Sequence, residues 1–402
     1  MRRRTFLGTA SGGTIAGFAG CLTRDGDDGS DGESDPSEAD GSDGADGNES
    51  DGETGTNDEG DGGSDATDDG ADDPSGTFTI ATYDSMIDGT DPAGPWLTDT
   101  FETYYPDATI EWKTPENGLN HYIQLEEREA SLDADVYLGL NIDDLARIDD
   151  TLDEGGLFRE LDVGRISKAD RIRDGLDMGD PHGRVLPYDT GYISLVYDET
   201  VVDEPETFDD LTKPAYEDAL IAQNAQTSDP GQAFLLWTID AFGEDGYLEY
   251  WNELDDNGVR ILDDWSDSYY GAYMEEERPM IVSYSTDQVF ASAEGHDMSR
   301  HQIAFPNGQG YANPEGMGIF ERASNPDLAY AFLDFVLSRK AQAEIAQRNV
   351  QFPAVSSGHV DLDDEFEQYA HEPPEAVTVG YDRLRGNLDG WVDEWARDRT
   401  GH

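Results

Sequence analysis

Polar and aromatic side chains stand at the ends of two predicted strands of this 402-residue chain, and together they could hold a small ligand. They are Tyr83, Asp84 and Ser85 at the end of an early strand, and Tyr284, Ser285 and Thr286 at the end of a late one. In open α/β sheets, ligands bind outside the carboxyl ends of the strands. Two such strand ends facing each other predict a ligand cleft between two lobes.

Two further groups extend this candidate site. Thr227 and Ser228 precede a predicted helix, where hydroxyls and free backbone N–H groups can bind a phosphate, although, taken alone, an ordinary helix cap explains them better. Trp265 stands in a predicted loop among Asp and Ser residues, so it is a candidate for the pocket as well as for the core.

Signatures of catalysis are missing from the sequence. It contains no G-x-S-x-G, H-E-x-x-H, G-x-x-x-x-G-K-[ST] or G-x-G-x-x-G motif, and its seven histidines are scattered. Carboxylates are so abundant that no pair of them is informative. We therefore expect neither an enzyme nor a metal site, and no cofactor.

The charge of the chain limits its partners. Ninety Asp and Glu residues against 25 Lys and Arg give a net charge of −65, which argues against binding of nucleic acid. An acidic, lysine-poor surface suits a protein that must stay soluble in concentrated salt. The charge therefore predicts a halophilic source and does not by itself predict a cationic ligand.

The N-terminal residues predict export and anchoring. Arg2–Arg4 and the small, weakly apolar residues 8–20 are typical of a twin-arginine signal, and residues 18–21 resemble a lipoprotein box ending at Cys21. We expect a signal at 1–21, a lipid on Cys21 as the sole membrane attachment, and a disordered acidic linker at 22–76. The alternative for Cys21 is an ordinary free thiol.

Strands and helices alternate from residue 77 onward, which predicts an α/β protein with parallel sheets covered by helices. The predicted strands are 77–83, 109–112, 135–140, 192–198 and 280–284. The predicted helices are 95–105, 142–152, 230–242, 247–254 and 326–347. About 320 residues suffice for two domains.

Several stretches resemble, in the same order, the thiamine-binding substrate-binding proteins of ABC importers. They include "TYDSM" (82–86), "PYDTGYISLVYDE" (187–199), "QTSDPGQAFLLW" (226–237), "DDWSDSYYGAYM" (263–274) and "VSYSTDQVF" (282–290). The resemblance implies a two-lobed, type II periplasmic-binding-protein-like fold with a hinge, lobe one being 77–190 with 310–402 and lobe two 191–309. It also implies a monomer at the extracellular face of the membrane that delivers thiamine or a thiamine phosphate to a permease and its ATPase.

The resemblance assigns roles to individual residues. Tyr83 and Tyr284 flank the ligand rings, and Trp265 and Phe290 complete an aromatic box, with Phe290 standing where a Tyr is usual. Asn117 and Gly118 match a family Asp-Gly near the ligand, and Thr227 and Ser228 match hydroxyls that meet its alcohol or phosphate end. One departure is that residues 349–353, "NVQFP", lack the pocket Trp that the family often has.

Two alternatives stay open at this point. A ferric-ion or other small-molecule binding protein of the same fold is one, because adjacent tyrosines such as Tyr269 and Tyr270 can bind Fe(III). A surface-anchored hydrolase with a degenerate site is the other.

Overall fold

The computed structural model describes residues 74–88, 91–152 and 156–400. The predicted signal at 1–21, its Cys21 and almost all of the predicted linker at 22–76 lie outside the described residues.

The described strands form one mixed sheet. They are β1 (Gly76–Ala81), β2 (Ala108–Lys113), β3 (Val136–Leu140), β4 (Val185–Tyr197), β5 (Leu220–Gln223), β6 (Arg260–Leu262), β7 (Met280–Tyr284), β8 (Gln302–Ala304), β9 (Gln309–Ile319), β10 (Phe352–Pro353) and β11 (Glu375–Val377). The order along the sheet is β2-β1-β3-β9-β4-β7-β5-β6, with β8 and β10 pairing with β4 and β11 pairing with β9.

The two long strands β4 and β9 lie at the centre of this sheet. They pair antiparallel with each other from Val185 opposite Gly318 to Ile193 opposite Tyr311. On one side β1 pairs parallel with β2 and β3, and on the other β5 pairs parallel with β6 and β7. The predicted parallel arrangement therefore holds for the outer strands, whereas the central strands are antiparallel. The predicted lobe boundaries stay a prediction.

Helices cover the sheet. They are α1 (Ala93–Tyr104), α2 (Leu119–Glu127), α3 (Ile142–Thr151), α4 (Asp229–Phe242), α5 (Tyr247–Asp256), α6 (Asp287–Ala293), α7 (Pro326–Val336), α8 (Arg339–Asn349), α9 (Asp364–Tyr369), α10 (Tyr381–Leu384) and α11 (Leu388–Thr400). None of the helices in the described part of the chain is long and apolar enough to cross a membrane.

The single helix predicted at 326–347 is wrong, because the structure contains two helices there. α7 ends at Val336, and the side chain of Ser338 accepts a hydrogen bond from the backbone N–H of Ala341 to begin α8. A Ser that caps a helix start in this way satisfies a backbone donor that a continuous helix would bond internally. The apolar spacing continues across the break, so periodicity alone does not reveal it.

Alternation along β3 shows how the sheet is buried on both faces. Val136 and Leu138 belong to a core shared with α1, α7 and α8, whereas Tyr137 belongs to a core shared with α2–α5 and α11. Since successive side chains of a strand point to opposite faces, these cores lie on the two sides of the sheet. The carboxyl ends of the strands are left to carry polar side chains.

Candidate functional site

An open pocket of about 370 Å³ lies where β7 ends and α6 begins. Four of the predicted ligand residues line it: Trp265, Tyr284, Thr286 and Phe290. The structure thus brings together side chains from the Trp265 segment, from the end of β7 and from α6. Their predicted role in binding a ligand stays a prediction.

Trp265 lies at the start of a helical segment, and its predicted loop position is therefore wrong. The segment widens into a π-helix at Asp267–Tyr273, a rare form that is frequent at functional sites. Trp265 stacks on Tyr269 with ring centroids 4.7 Å apart, and Tyr270 meets it edge-on at 5.6 Å. This segment therefore places three aromatic rings together at the pocket.

The remaining aromatic walls come from β7 and α6. The rings of Trp265 and Tyr284 are 6.5 Å apart at an angle of 63°, and the indole Nε1 of Trp265 donates to Ser283 Oγ at 3.2 Å. Phe290 lies 6.0 Å from Tyr269 and 6.1 Å from Tyr270, measured between ring centroids. The negative faces of such rings attract a cation, most strongly in the case of Trp.

Tyr83 does not line this pocket but is hydrogen-bonded to Asn349, which does. The Asn349 amide, which lines the pocket, donates to the Tyr83 hydroxyl at 3.2 Å. The Tyr83 hydroxyl donates to Glu315 Oε2 at 3.0 Å, and Tyr188 donates to the same oxygen at 2.5 Å. Burial, followed by the charges of Glu315 and Asp189, raises the pKa of Tyr83 well above its usual value, so the phenol stays protonated.

Glu315 and Asp189 form a carboxylate pair beneath these phenols. The two residues are opposite each other in the pairing of β9 with β4, and Asp189 is fully buried. Burial and the nearby Glu315 raise the pKa of Asp189 well above its usual range, an effect that the Asn349 amide opposes. Burial likewise raises the pKa of Glu315. The pair therefore favours a state in which at least one carboxyl is neutral.

Val350 keeps the chain in an unusual conformation at the pocket wall. It ends α8 with φ 52° and ψ 45°, a left-handed geometry that is rare for a β-branched residue and costs about 1–2 kcal/mol. Its neighbours Asn349 and Gln351 line the pocket on either side. The segment that departs from the family pattern is thus part of the pocket itself.

Thr227 and Ser228 lie at the start of α4 and do not line the aromatic pocket. The Thr227 hydroxyl donates to the backbone carbonyl of Asp263, two residues before Trp265, at 2.6 Å. Ser228 is the cap residue of α4, but its side chain makes no capping hydrogen bond. Thr227 therefore supports the Trp265 segment from outside the pocket.

Asn117 and Gly118 lie before α2, outside the aromatic pocket. Asn117 is exposed, and Gly118 has φ 50°, a conformation that favours glycine. A Cβ on Gly118 would lie 3.6 Å from the hydroxyl oxygen of Tyr137. Burial, followed by the charges of Asp144 and Asp229, raises the pKa of Tyr137 well above its usual value.

Asp84, Ser85 and Ser285 are the other predicted site residues. Asp84 and Ser85 begin a short 3₁₀ helix directly after Tyr83, and Ser85 is buried. Ser285 is fully buried, and its backbone N–H donates to the Tyr192 carbonyl at 2.9 Å. Asp84 and Ser85 thus adjoin Tyr83, and Ser285 adjoins Tyr284, but none of the three lines the pocket.

A second, smaller pocket of about 240 Å³ lies between α3 and α4 and is acidic. Asp143 accepts from Gln232 Nε2 at 2.8 Å, and Asp229 lines the same space. Burial and the charge of Asp143 raise the pKa of the adjacent Asp144 to about 7. Within the described residues, no group of three or more His, Cys, Asp or Glu side chains is placed to hold a metal ion.

Three residues of the site, Asp189, Glu315 and Gln351, escape sequence reasoning. Carboxylates are too common in this chain for any one of them to stand out, and Glu315 lies in β9, which the sequence pattern does not predict. For Gln351 the one available signal is the departure from the family pattern at 349–353. The sequence does single out Tyr269 and Tyr270, but as candidate iron ligands.

Comparisons with known proteins identify relatives of this chain. A family model described as bacterial extracellular solute-binding protein matches residues 146–387. The chain is 27% identical over 322 residues to the thiamine-binding periplasmic protein of Escherichia coli (strain K12), covering 79% of this chain and 92% of that protein.

Solved structures share the fold. A periplasmic thiamin binding protein superposes with a TM-score of 0.67 at 24% identity, covering 81% of this chain and 98% of that one. The apo ferric ion-binding protein A of Pasteurella haemolytica gives a TM-score of 0.65 at 14% identity, covering 80% and 98%. These similarities confirm the predicted type II periplasmic-binding-protein-like α/β fold.

Proposed function

The chain belongs to the family of bacterial extracellular solute-binding proteins, and on that premise we propose that it captures thiamine or a thiamine phosphate outside the cell. The family consists of solute-binding proteins and not of enzymes. As such a protein it serves an ABC importer, whose permease and ATPase are its partners. We propose no cofactor for it.

The aromatic pocket is the observation that carries this proposal. Trp265, Tyr284 and Phe290 surround a space open to solvent, and no Lys or Arg is among the described residues that line it. Each close contact between a ring face and a cation contributes about 0.5–2 kcal/mol. A flat, positively charged heterocycle such as that of thiamine can stack on the ring faces, and no Lys or Arg in the described lining would repel its charge.

The relatives support the same ligand class. The E. coli protein named above is a thiamine-binding protein, and the similarity to it extends over 322 residues of the chain. The ferric alternative rests on a shared fold and on Tyr269 and Tyr270. Tyr269 is fully buried and its ring stacks on Trp265, so this ring belongs to the aromatic wall of the pocket.

We further propose that the chain is held at the outer face of the membrane by a lipid on Cys21. The family acts outside the cell, and the acidic stretch that follows Cys21 would serve as a tether.

Titration calorimetry in concentrated KCl tests the ligand assignment. We expect the full chain to bind thiamine, with the diphosphate no tighter, because the pocket offers no basic lining residue to additional phosphate charge. Trp265→Ala and Tyr284→Ala should each weaken thiamine binding by more than about tenfold, since each removes a ring face. Tyr104→Ala, at an exposed ring on α1, is the control and should leave the affinity unchanged.

Two results would contradict the proposal. Unchanged affinity in both pocket variants would remove the aromatic pocket as the thiamine site. A visible phenolate-to-iron absorption band on adding ferric salt, together with no heat on adding thiamine, would establish the iron alternative instead. Turnover of a thiamine phosphate would favour the hydrolase.

A further inference from the structure

The Asp189–Glu315 pair lies within the protein without a basic partner among the described residues. The phenols of Tyr83 and Tyr188, which are neutral, donate hydrogen bonds to Glu315. The charge that most raises the pKa of Glu315 is another carboxylate, Asp229. Buried basic side chains form their ion pairs elsewhere, as Arg184 does with Asp149 and Asp180.

Unsatisfied acceptor oxygens accumulate at the same place. Neither carboxylate oxygen of Asp189 receives a hydrogen bond of normal geometry from the described residues, and the Oε1 atom of Gln351 receives none either. Gln351 lines the aromatic pocket. A Cβ on Gly191, two residues after Asp189 on β4, would lie 2.5 Å from Gln351 Oε1 and 3.0 Å from the Tyr284 ring. Since residues i and i+2 of a strand share a face, Asp189 lies on the side of β4 that faces Gln351 and Tyr284.

Buried charges in proteins are almost always paired, because an unpaired buried carboxylate is costly. Two carboxylates on adjacent central strands with only neutral or acidic neighbours therefore lack a positive charge. The space beside them is the aromatic pocket, whose ring faces also favour a cation. Two independent features thus point to the same kind of occupant.

We infer that Asp189 and Glu315 are the counterion of the ligand, and that they determine the preference for a positively charged ligand over a neutral one of the same shape. This inference rests on the proposed function, because it concerns the same pocket. It adds a second source of affinity, which salt weakens little. In molar salt the screening length is about 3 Å, but charges enclosed by protein are screened much less than exposed ones.

The test compares thiamine with 3-deazathiamine, a neutral analogue in which carbon replaces the positively charged ring nitrogen. The affinity of each ligand is measured by calorimetry for the full chain and for Asp189→Asn and Glu315→Gln, which remove charge and keep shape. We expect the native chain to prefer thiamine by more than about tenfold, which is near the low end of the coupling measured for close charge pairs. Each variant should lose most of that preference while keeping its affinity for the neutral analogue.

Asp135→Asn is the matched control. Asp135 is also buried, but its oxygens accept from the backbone N–H groups of Thr79, Ser324 and Asn325. This variant should unfold more easily and keep the native preference for thiamine. A melting curve on every variant separates a loss of folding from a loss of preference.

The outcomes separate the inference from the function on which it rests. If the native chain binds neither ligand, the proposed function fails. If the native chain binds thiamine and the two variants keep the native ratio of affinities, the counterion role is overturned and the function stands. Equal losses for both ligands in a folded variant also overturn it, because they indicate a structural role for the pair.

Discussion

At the scale of single residues, the site combines ring faces with acceptor oxygens. Trp265 and Tyr284 supply aromatic surface, and Asp189 and Gln351 supply oxygens that the described residues leave without donors. Such groups are kept in a protein at a cost in stability when they serve binding. We therefore expect Asp189 to lower the stability of the unliganded fold while it contributes to ligand binding.

Asp189→Asn should stabilise the unliganded chain at pH 8 and should do so less at pH 5. Because burial and Glu315 raise the pKa of Asp189, the native state is penalised wherever this carboxyl must ionise. That penalty is absent below the pKa of the unfolded chain and grows as pH rises through the pKa of the folded one. Melting curves at the two pH values measure the difference, expected to be several degrees at pH 8.

The control for this prediction is Asp135→Asn, which removes an acceptor that three backbone N–H groups use. It should lower the melting temperature at both pH values. A lower melting temperature for Asp189→Asn at pH 8 would show that the Asp189 carboxylate stabilises the fold, which is incompatible with an unpaired buried charge at this position.

Sequence reasoning finds the rings of the site better than its carboxylates. Tyr83 and Tyr284 can be selected because each stands with polar residues at the end of a predicted strand, and Trp265 because it stands among Asp and Ser residues. Asp189 and Glu315 cannot be selected in this way, because nothing in the sequence distinguishes them among its 90 Asp and Glu residues. Their distinction is burial without a basic partner among the described residues, a property that depends on the pairing of β4 with β9.

At the scale of elements, the central strands β4 and β9 position the site. Asp189, Gly191 and Glu315 lie on them, and the strand ends of β1 and β7 bring Tyr83 and Tyr284 to the same place. The helical turn at Trp265 and the end of α8 at Val350 complete the walls. The pocket is thus assembled from segments that are distant in sequence and adjacent in the sheet.

Gly191→Ala should weaken thiamine binding by more than about tenfold with a modest loss of stability. A methyl group there would lie 2.5 Å from Gln351 Oε1 and 3.0 Å from the Tyr284 ring, so both pocket residues must move. Calorimetry and a melting curve measure the two effects.

Gly358→Ala is the matched control, since a Cβ at Gly358 meets nothing within 4 Å. It should leave thiamine affinity unchanged. Native affinity in Gly191→Ala would show that the ligand does not depend on the positions of Gln351 and Tyr284.

The strand β9 illustrates why some elements escape prediction. Its sequence, QGYANPEGMGI, contains Gly and Pro residues that disfavour strands in general. The structure explains two of these glycines: a Cβ on Gly316 would lie 2.4 Å from Val185 Cγ2, and one on Gly318 would lie 3.0 Å from Leu140 Cδ1. Tertiary packing selects glycine there against local preference. The strand β7, in contrast, is predicted with its correct bounds, because Met280–Tyr284 is largely apolar and buried.

At the scale of the whole molecule, the chain belongs to a family of extracellular solute-binding proteins and carries a large negative charge. The net charge of −65 predicts a halophilic source, and in concentrated salt the long-range attraction of a charged ligand is weak. Recognition must then rely on close contacts with rings and on charges enclosed by protein. The pocket offers both.

Cys21→Ser should release the protein from the membrane into the medium without changing its affinity for thiamine. Cys21 is the one cysteine of the chain, and its sulfur is the proposed site of lipid attachment. Cell fractionation followed by immunoblotting measures the distribution. Ser11→Ala, a change earlier in the predicted signal, is the control and should keep the protein at the membrane; equal retention of the Cys21 variant would refute the anchor.

Native mass spectrometry of the full chain, purified from cells and then exposed to thiamine, decides whether the aromatic pocket holds this vitamin. We expect a complex with a mass increase of one thiamine or one thiamine phosphate, formed at a one-to-one ratio and lost in Trp265→Ala. A chain that stays unliganded in thiamine but takes up ferric ion or an unrelated solute would contradict the proposed function.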